Sequence, residues 1–197
     1  MRTISVNLFS FDELSEDVQS KVIDNFRDIN VDHDWWEHVY EAFKEDCEFE
    51  VDRIYFSGFC SQGDGAMFEY SRVPDTLKAS FIEGLKLSPM RKAWLMNNVS
   101  VSGHGKHSGH YYHENSCYHD IYWEVDNGDL NWSTRFYQWI ESFYGEFEDY
   151  VIEIYKDKCQ DLYRDLEKEY DCLTSDEQVR ETILCNEYEF NEYGQVQ

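Results

Sequence analysis

Apolar residues spaced three and four positions apart run through residues 136–166, and this pattern constrains the fold more than any other feature of the chain. The spacing places side chains on one face of an α-helix. We expect the helix to begin at Ser133 or Thr134 and to run towards Tyr170. A stripe of this length is typical of a core helix laid across a sheet. Its members are Phe136, Ile140, Phe143, Phe147, Val151, Ile154, Leu162 and Leu166.

Segments rich in β-branched and aromatic residues predict the sheet. Residues 49–56 and 66–73 are expected to pair as antiparallel strands joined by a glycine-rich loop. Further strands are expected at residues 98–102 and 111–125, with weaker candidates at residues 4–9 and 188–190.

Capping residues predict the remaining helices. Ser15 and Ser175 stand where a helix N-cap is needed, and Pro89 can open a helix. A turn is expected at residues 126–129. We therefore predict one α+β domain over residues 1–197, with a mainly antiparallel sheet of about four to six strands and helices packed on one face. The predicted helices run from Ser15 to Arg27, from Asp32 or Asp34 to Cys47, and over residues 75–87, 89–97 and 175–185.

The charge of the chain excludes whole classes of partner. Its 197 residues include 41 acidic and 17 basic ones, for a net charge of −24. Residues 1–60 carry −10, residues 61–132 carry −3 and residues 133–197 carry −11. Such a field opposes direct binding to nucleic acid or to an anionic membrane, because both interactions need clustered Lys and Arg.

The location of the protein is predicted from what the sequence lacks. No apolar run approaches the ~20 residues that cross a bilayer, and the first residues have no signal-peptide core. We expect a cytoplasmic protein. The six cysteines form no CxxC pair and are expected to be free thiols.

Four stretches carry a resemblance to a known family. Residues 57–66 form an SGF-x-SQGDGA loop, and residues 109–116 a GxYYHxxS motif. Phe11 to Ser15 and Asn186 to Phe190 add to it. Together they resemble an uncharacterised family encoded by bacteriophages and prophages. The resemblance implies a phage origin and carries over no established activity. Cys60 departs from the pattern, where a large aromatic residue is expected.

The glycine loop is the first candidate site. Backbone N–H groups of Gly63, Asp64 and Gly65 can form an anion-binding concavity. In that interpretation a small molecule, such as a nucleotide, is bound. The alternative is a structural loop in which Asp64 caps its own turn. The other predicted ligand-binding residues are Ser57, Ser61, Gln62, Tyr112 and His113.

A histidine cluster is the second candidate. Five of the seven histidines lie between His104 and His119, and imidazole suits zinc. The alternative function is therefore a metal-dependent hydrolase. The spacing of three argues against it, because a strand alternates faces with a period of two. We predict no metal, no cofactor and no catalytic residue.

An acidic helical face supports the preferred hypothesis. Glu153, Asp157, Asp161 and Asp165 recur every four residues along the long predicted helix. A solvated face that keeps the protein soluble is one interpretation. The other is a surface that imitates the charge of a nucleic-acid backbone. On that basis we expect a non-catalytic phage accessory protein that inhibits or sequesters a host defence factor with a basic surface.

Overall fold

The computed structural model describes residues 7–125 and 134–197, and these residues adopt an α+β fold, as predicted. The strands are β1 (Phe9–Ser10), β2 (Val51–Phe56), β3 (Ala66–Tyr70), β4 (Val99–His107), β5 (Cys117–Val125) and β6 (Glu189–Phe190). The helices are α1 (Glu16–Asn25), α2 (Glu37–Asp46), α3 (Asp75–Gly84), α4 (Pro89–Asn98), α5 (Thr134–Leu173) and α6 (Asp176–Cys185), with a 3-10 turn at Phe11–Glu13.

The chain divides into two compact units. The first contains Met1–Val39 and Leu166–Gln197, and the second contains Tyr40–Asp165. In the first unit β1 and β6 pair as an antiparallel ribbon. In the second, four antiparallel strands lie in the order β2-β3-β4-β5. We call these the two-stranded unit and the four-stranded unit; the single domain over residues 1–197 stays a prediction.

The two-stranded unit has its own apolar core. Phe11 and Phe190 meet edge to face with ring centroids 6.4 Å apart, next to the buried side chain of Val22 on α1. From α6, Val179 and Ile183 complete the same cluster. Ser175 caps α6 by accepting a hydrogen bond from the Gln178 N–H, as its predicted position requires.

The core of the four-stranded unit is aromatic. All five residues of β3 are buried. The ring of Tyr155 on α5 lies 4.6 Å from that of Phe68 and 5.9 Å from that of Tyr70, measured between centroids. The Tyr155 hydroxyl also donates a hydrogen bond of 2.9 Å to the Phe68 carbonyl. The buried side of α5 therefore covers the central strand, as expected for a core helix laid across a sheet. Its central contact is made by Tyr155, which the predicted stripe did not include, whereas the predicted Ile154 is half-buried.

Several predicted boundaries are corrected. The strand β4 continues to His107 instead of ending at residue 102, and β5 begins at Cys117. Residues 111–116 form a loop, because the Ser116 N–H donates to the His113 carbonyl at 2.8 Å and turns the chain back on itself. Turns formed by residues 33–37 delay the start of α2 to Glu37. The turn predicted at residues 126–129, the start of the 4–9 strand and Ser133 lie outside the described residues.

None of the described helices combines the length and the apolar character that crossing a bilayer requires. The longest, α5, carries exposed acidic residues between Glu141 and Asp171.

The hydrogen bond from Tyr155 provides a test of this core. Tyr155→Phe leaves the buried Phe68 carbonyl without its partner, and we expect the free energy of unfolding to fall by about 1–3 kcal/mol. Tyr144→Phe is the matched control, because Tyr144 also lies on α5 and donates to a sheet carbonyl, that of Ile121, at 2.9 Å. Tyr144 is 38% exposed, so water can replace its hydroxyl and the loss should be about 0.5 kcal/mol or less. Urea unfolding measures both, and equal losses would contradict the account.

Candidate functional site

The glycine loop between β2 and β3 is closed by its own hydrogen bonds. The Ser57 N–H donates to the Gly65 carbonyl at 3.0 Å, and the Gly65 N–H donates to Ser57 Oγ at 3.3 Å. One carboxylate oxygen of Asp64 accepts from the N–H groups of Cys60 at 2.9 Å and Ser61 at 2.7 Å. The Asp64 N–H donates to the Ser61 carbonyl at 3.1 Å. The carboxylate therefore caps the loop from within.

The second motif packs directly on this loop. A Cβ atom at Gly65 would lie 2.6 Å from Cβ and 2.9 Å from Cα of His113, and one at Gly63 would lie 2.9 Å from the ring of Tyr111. Glycine is needed at position 65, because the backbone of residues 112 and 113 approaches it so closely. The atoms close to Gly63 belong to the ring of Tyr111, which is 61% exposed and can move aside. The two motifs that carry the family resemblance thus form one structure.

Aromatic rings extend this structure across the sheet. Tyr55 and Tyr112 stack with their centroids 5.2 Å apart and their planes 13° from parallel. His107 lies 5.4 Å from Tyr55 and 5.1 Å from Tyr112, and its Nε2 is 3.2 Å from the Tyr111 carbonyl. Neither Tyr55 nor His107 was among the ligand-binding residues predicted from the sequence. No local spacing could show this contact, because it forms only when β2, β4 and the following loop come together.

The structure brings together all eight predicted ligand-binding residues. Some of their polar groups are already hydrogen-bonded within the protein, and others are not. Ser57 and Asp64 are used inside the loop, and His113 Nδ1 accepts from the Asn115 N–H at 3.1 Å. Ser61 and Gln62 are exposed, and their side chains make no hydrogen bond among the described residues. Ligand binding by this loop stays a prediction.

The histidines of the second candidate site are dispersed. His104 and His107 lie on β4, His119 lies on β5, and His110 and His113 lie in the connecting loop. Across residues 7–125 and 134–197, no three His, Cys, Asp or Glu side chains are grouped closely enough to hold a metal ion. The geometry therefore gives the hydrolase alternative no support from this part of the chain.

Three polar side chains meet on strands β3 and β5 of the sheet, where Tyr70 is buried and His119 and Cys117 are half-buried. His119 Nδ1 is 3.0 Å from the Tyr70 hydroxyl and 3.9 Å from the Cys117 sulfur. Burial lowers the pKa of the His119 imidazole to about 4, and the positive charge of Lys156 acts in the same direction. Burial also raises the pKa of the Cys117 thiol to about 11 and that of the Tyr70 hydroxyl. At neutral pH the imidazole is uncharged and the thiol protonated, so this pair is not an activated nucleophile.

The predicted partner-binding residues form a row on the solvent side of α5. Glu153, Asp157, Asp161 and Asp165 are all exposed. The opposite side of the helix is buried, with Val151, Tyr155 and Leu162 each 0% exposed. Asp161 forms an ion pair with Arg164, one turn away. We call these four carboxylates the acidic row.

Comparison with known families places the chain. A family model described as a domain of unknown function, DUF8835, matches residues 35–176, which are 142 of the 197 residues. The chain belongs to this family. The matched segment contains the glycine loop, the loop that packs on it and the acidic row. No curated protein and no solved structure matched the chain.

The contact between the two motifs predicts that alanine at position 65 lowers stability, whereas alanine at position 145 does not. Gly65→Ala places a methyl group against the backbone of His113, and we expect the free energy of unfolding to fall by about 1–3 kcal/mol. Gly145→Ala is the control, because a Cβ there meets nothing within 4 Å and the position lies inside α5. It should stabilise the protein by about 0.5–1 kcal/mol through helix propensity. Thermal or urea unfolding gives the sign for each variant, and a neutral Gly65→Ala would contradict the close approach.

Burial of His119 predicts that acid weakens the fold. Its folded pKa of about 4 lies below the value of about 6.5 expected in an unfolded chain, so the unfolded state binds more protons between these values. The stability is complete above about pH 6.5 and is lost as pH falls towards 4. Allowing for partial exposure of the ring, we expect His119 to contribute on the order of 1–2 kcal/mol to this loss.

Urea unfolding across this pH range measures the contribution of His119. His119→Gln should lose less stability on acidification than the unmodified protein. His110→Gln, at an exposed loop position, should follow the unmodified protein. Parallel curves for all three proteins would show that His119 does not bind a proton on unfolding.

Proposed function

We propose that the chain is a phage accessory protein that acts without catalysis, by binding a basic host protein through the acidic row. It would work in the cytoplasm of the infected cell and sequester or inhibit a defence factor that normally grips nucleic acid. The phage assignment is supported by the SGF-x-SQGDGA and GxYYHxxS motifs. The binding mode is supported by the geometry of α5, which is the observation that carries the proposal.

The acidic row is a regular array on a rigid support. A helix rises about 1.5 Å per residue, so carboxylates four residues apart are about 6 Å apart along the axis and the row from Glu153 to Asp165 spans about 18 Å. The buried side of α5 is anchored in an aromatic core, which fixes the direction of the exposed side. A basic groove would therefore meet negative charges at defined intervals.

The acidic row lowers the stability of α5, although the fold does not need carboxylates at this spacing. Like charges at i and i+4 destabilise a helix by roughly 0.2–0.5 kcal/mol per pair. The row contains three such pairs, and within the described residues one of its four carboxylates, that of Asp161, has an ion-pair partner. Solubility requires net charge, but it does not require carboxylates that recur every four residues. A surface that recognises a basic partner gives the register a purpose.

Electrostatic steering explains how such a protein would act quickly. A net charge of −24 attracts a basic partner over long range and raises the rate of encounter. The same charge keeps the protein away from nucleic acid, so it would compete for the host factor without binding the substrate of that factor. Binding of this kind weakens as salt shortens the Debye length.

Charge reversal along the row tests the proposal. We expect Asp157→Lys, Asp161→Lys and Asp165→Lys together to abolish capture of a basic protein from infected-host lysate. Capture by the unmodified protein should fall at least about tenfold between about 0.05 M and about 0.3 M salt. Quantitative mass spectrometry of the captured proteins measures both effects.

The chain offers a matched control for this reversal. Glu37, Glu41 and Glu45 have the same spacing of four and are exposed on α2. Reversing these three to Lys changes the net charge by the same amount, and capture should persist. If both triple variants lose the partner equally, net charge and not the acidic row is responsible. Capture that resists high salt would also contradict the proposal.

A further inference from the structure

An aromatic cleft with two arginines lies between α4 and the beginning of α5, both within the four-stranded unit. Its volume is about 430 Å³, within the range of about 300–1,000 Å³ found for small-molecule sites. It contains none of the residues of the glycine loop or the acidic row. We call it the arginine cleft, and it is lined by Met90, Arg91, Trp94, Arg135, Phe136 and Trp139.

Helical spacing presents these side chains together. Arg91 and Trp94 are three residues apart on α4, and Arg135 and Trp139 are four apart on α5, so each arginine shares a helix face with a tryptophan. Trp94 meets Phe136 edge to face at 4.9 Å between centroids. The Arg91 guanidinium carbon lies 5.6 Å from the centroid of the Trp139 ring. Flat π surfaces and guanidinium groups therefore line one space.

The charge of the arginine cleft is an exception within this chain. Residues 89–98 and 134–140 contain three basic residues and none of the 41 acidic ones. The first turns of α1, α2, α3 and α6 carry acidic residues, whereas those of α4 and α5 carry none. Among residues 7–125 and 134–197, Arg91 and Arg135 form no ion pair. Both guanidinium groups are exposed and donate no hydrogen bond within the part of the chain that the structure describes, so their N–H groups can bind an anion.

The helix dipoles disfavour positively charged side chains at the positions of Arg91 and Arg135. An arginine in the first turn of a helix faces the positive end of the helix dipole, which disfavours a cation by a few tenths of a kcal/mol or more. Both α4 and α5 nevertheless carry an arginine in the first turn. In a chain with a net charge of −24, an anionic ligand can approach only where the surface is locally basic. The arginine cleft meets that requirement and adds aromatic surface.

We propose that the arginine cleft binds a planar aromatic anion of the nucleoside monophosphate class. The base would stack on the tryptophan surfaces, which is the interaction that holds bases in sequence-tolerant sites. The phosphate would accept hydrogen bonds from Arg91 and Arg135, whose planar guanidinium groups match two phosphate oxygens at once. The volume of the cleft suits one such molecule and not a polymer. This site is independent of the proposed partner surface.

Adenosine monophosphate is the probe for the test, with adenosine and inorganic phosphate as separate comparisons. Calorimetric titration of the full chain should give saturable binding of the monophosphate. We expect adenosine to bind about tenfold more weakly or worse, because it lacks the charged group that the arginines recognise. Tryptophan fluorescence should change on binding, since the base would contact Trp94 or Trp139. Absence of saturable binding, or equal affinity for adenosine, overturns the proposal.

Single substitutions locate the site. Arg91→Ala and Arg135→Ala should each weaken binding of adenosine monophosphate about tenfold. Both side chains are exposed, so these variants should keep the circular dichroism spectrum of the unmodified protein. Arg72→Ala is the control, because it removes the same charge from an exposed arginine that pairs with Asp75 elsewhere in the unit. Affinity that survives both cleft substitutions, or that Arg72→Ala reduces equally, also overturns the proposal.

Discussion

The burial of β3 against the apolar side of α5 is the contact on which the four-stranded unit depends. Antiparallel strands often leave one face in water, yet β3 is buried at every residue. Its polar groups therefore need internal partners. Tyr155 satisfies the Phe68 carbonyl, and the Glu69 carboxylate accepts the His107 N–H at 3.0 Å with Lys106 Nζ 3.6 Å away. Aromatic packing and buried polar contacts hold the same strand.

Because β3 is buried at every residue and its polar groups have internal partners, the residues around it are held in fixed positions. The glycine loop uses its own carboxylate as a cap, and the half-buried His119 and Cys117 side chains are uncharged at neutral pH. Neither arrangement is reactive. Exposed polar groups that the fold does not use lie at the periphery, and they include the acidic row and the arginines of the arginine cleft. Binding at these two surfaces is what we propose.

Local patterns predicted most of the fold, and tertiary contacts account for what they missed. The apolar stripe of α5, the Ser175 cap and the pairing of β2 with β3 follow from neighbouring residues and were predictable. Tyr111 and Tyr112 have strand-forming side chains, but they belong to a loop whose residues 111–113 pack against Gly63 and Gly65. The stack of Tyr55 on Tyr112 and the arginine cleft join residues far apart in sequence. The sequence signal for the cleft is the absence of acidic residues from α4 and from the beginning of α5.

The close approach of His113 to Gly65 has an evolutionary consequence. Every residue except glycine carries the same Cβ atom that His113 places against Gly65, so a change of side chain at position 113 does not relieve the contact. Within the family, position 65 should therefore stay glycine while the side chain at position 113 can vary. An alignment of distant members would record a fixed glycine in one motif, whatever side chain stands 48 positions later in the other.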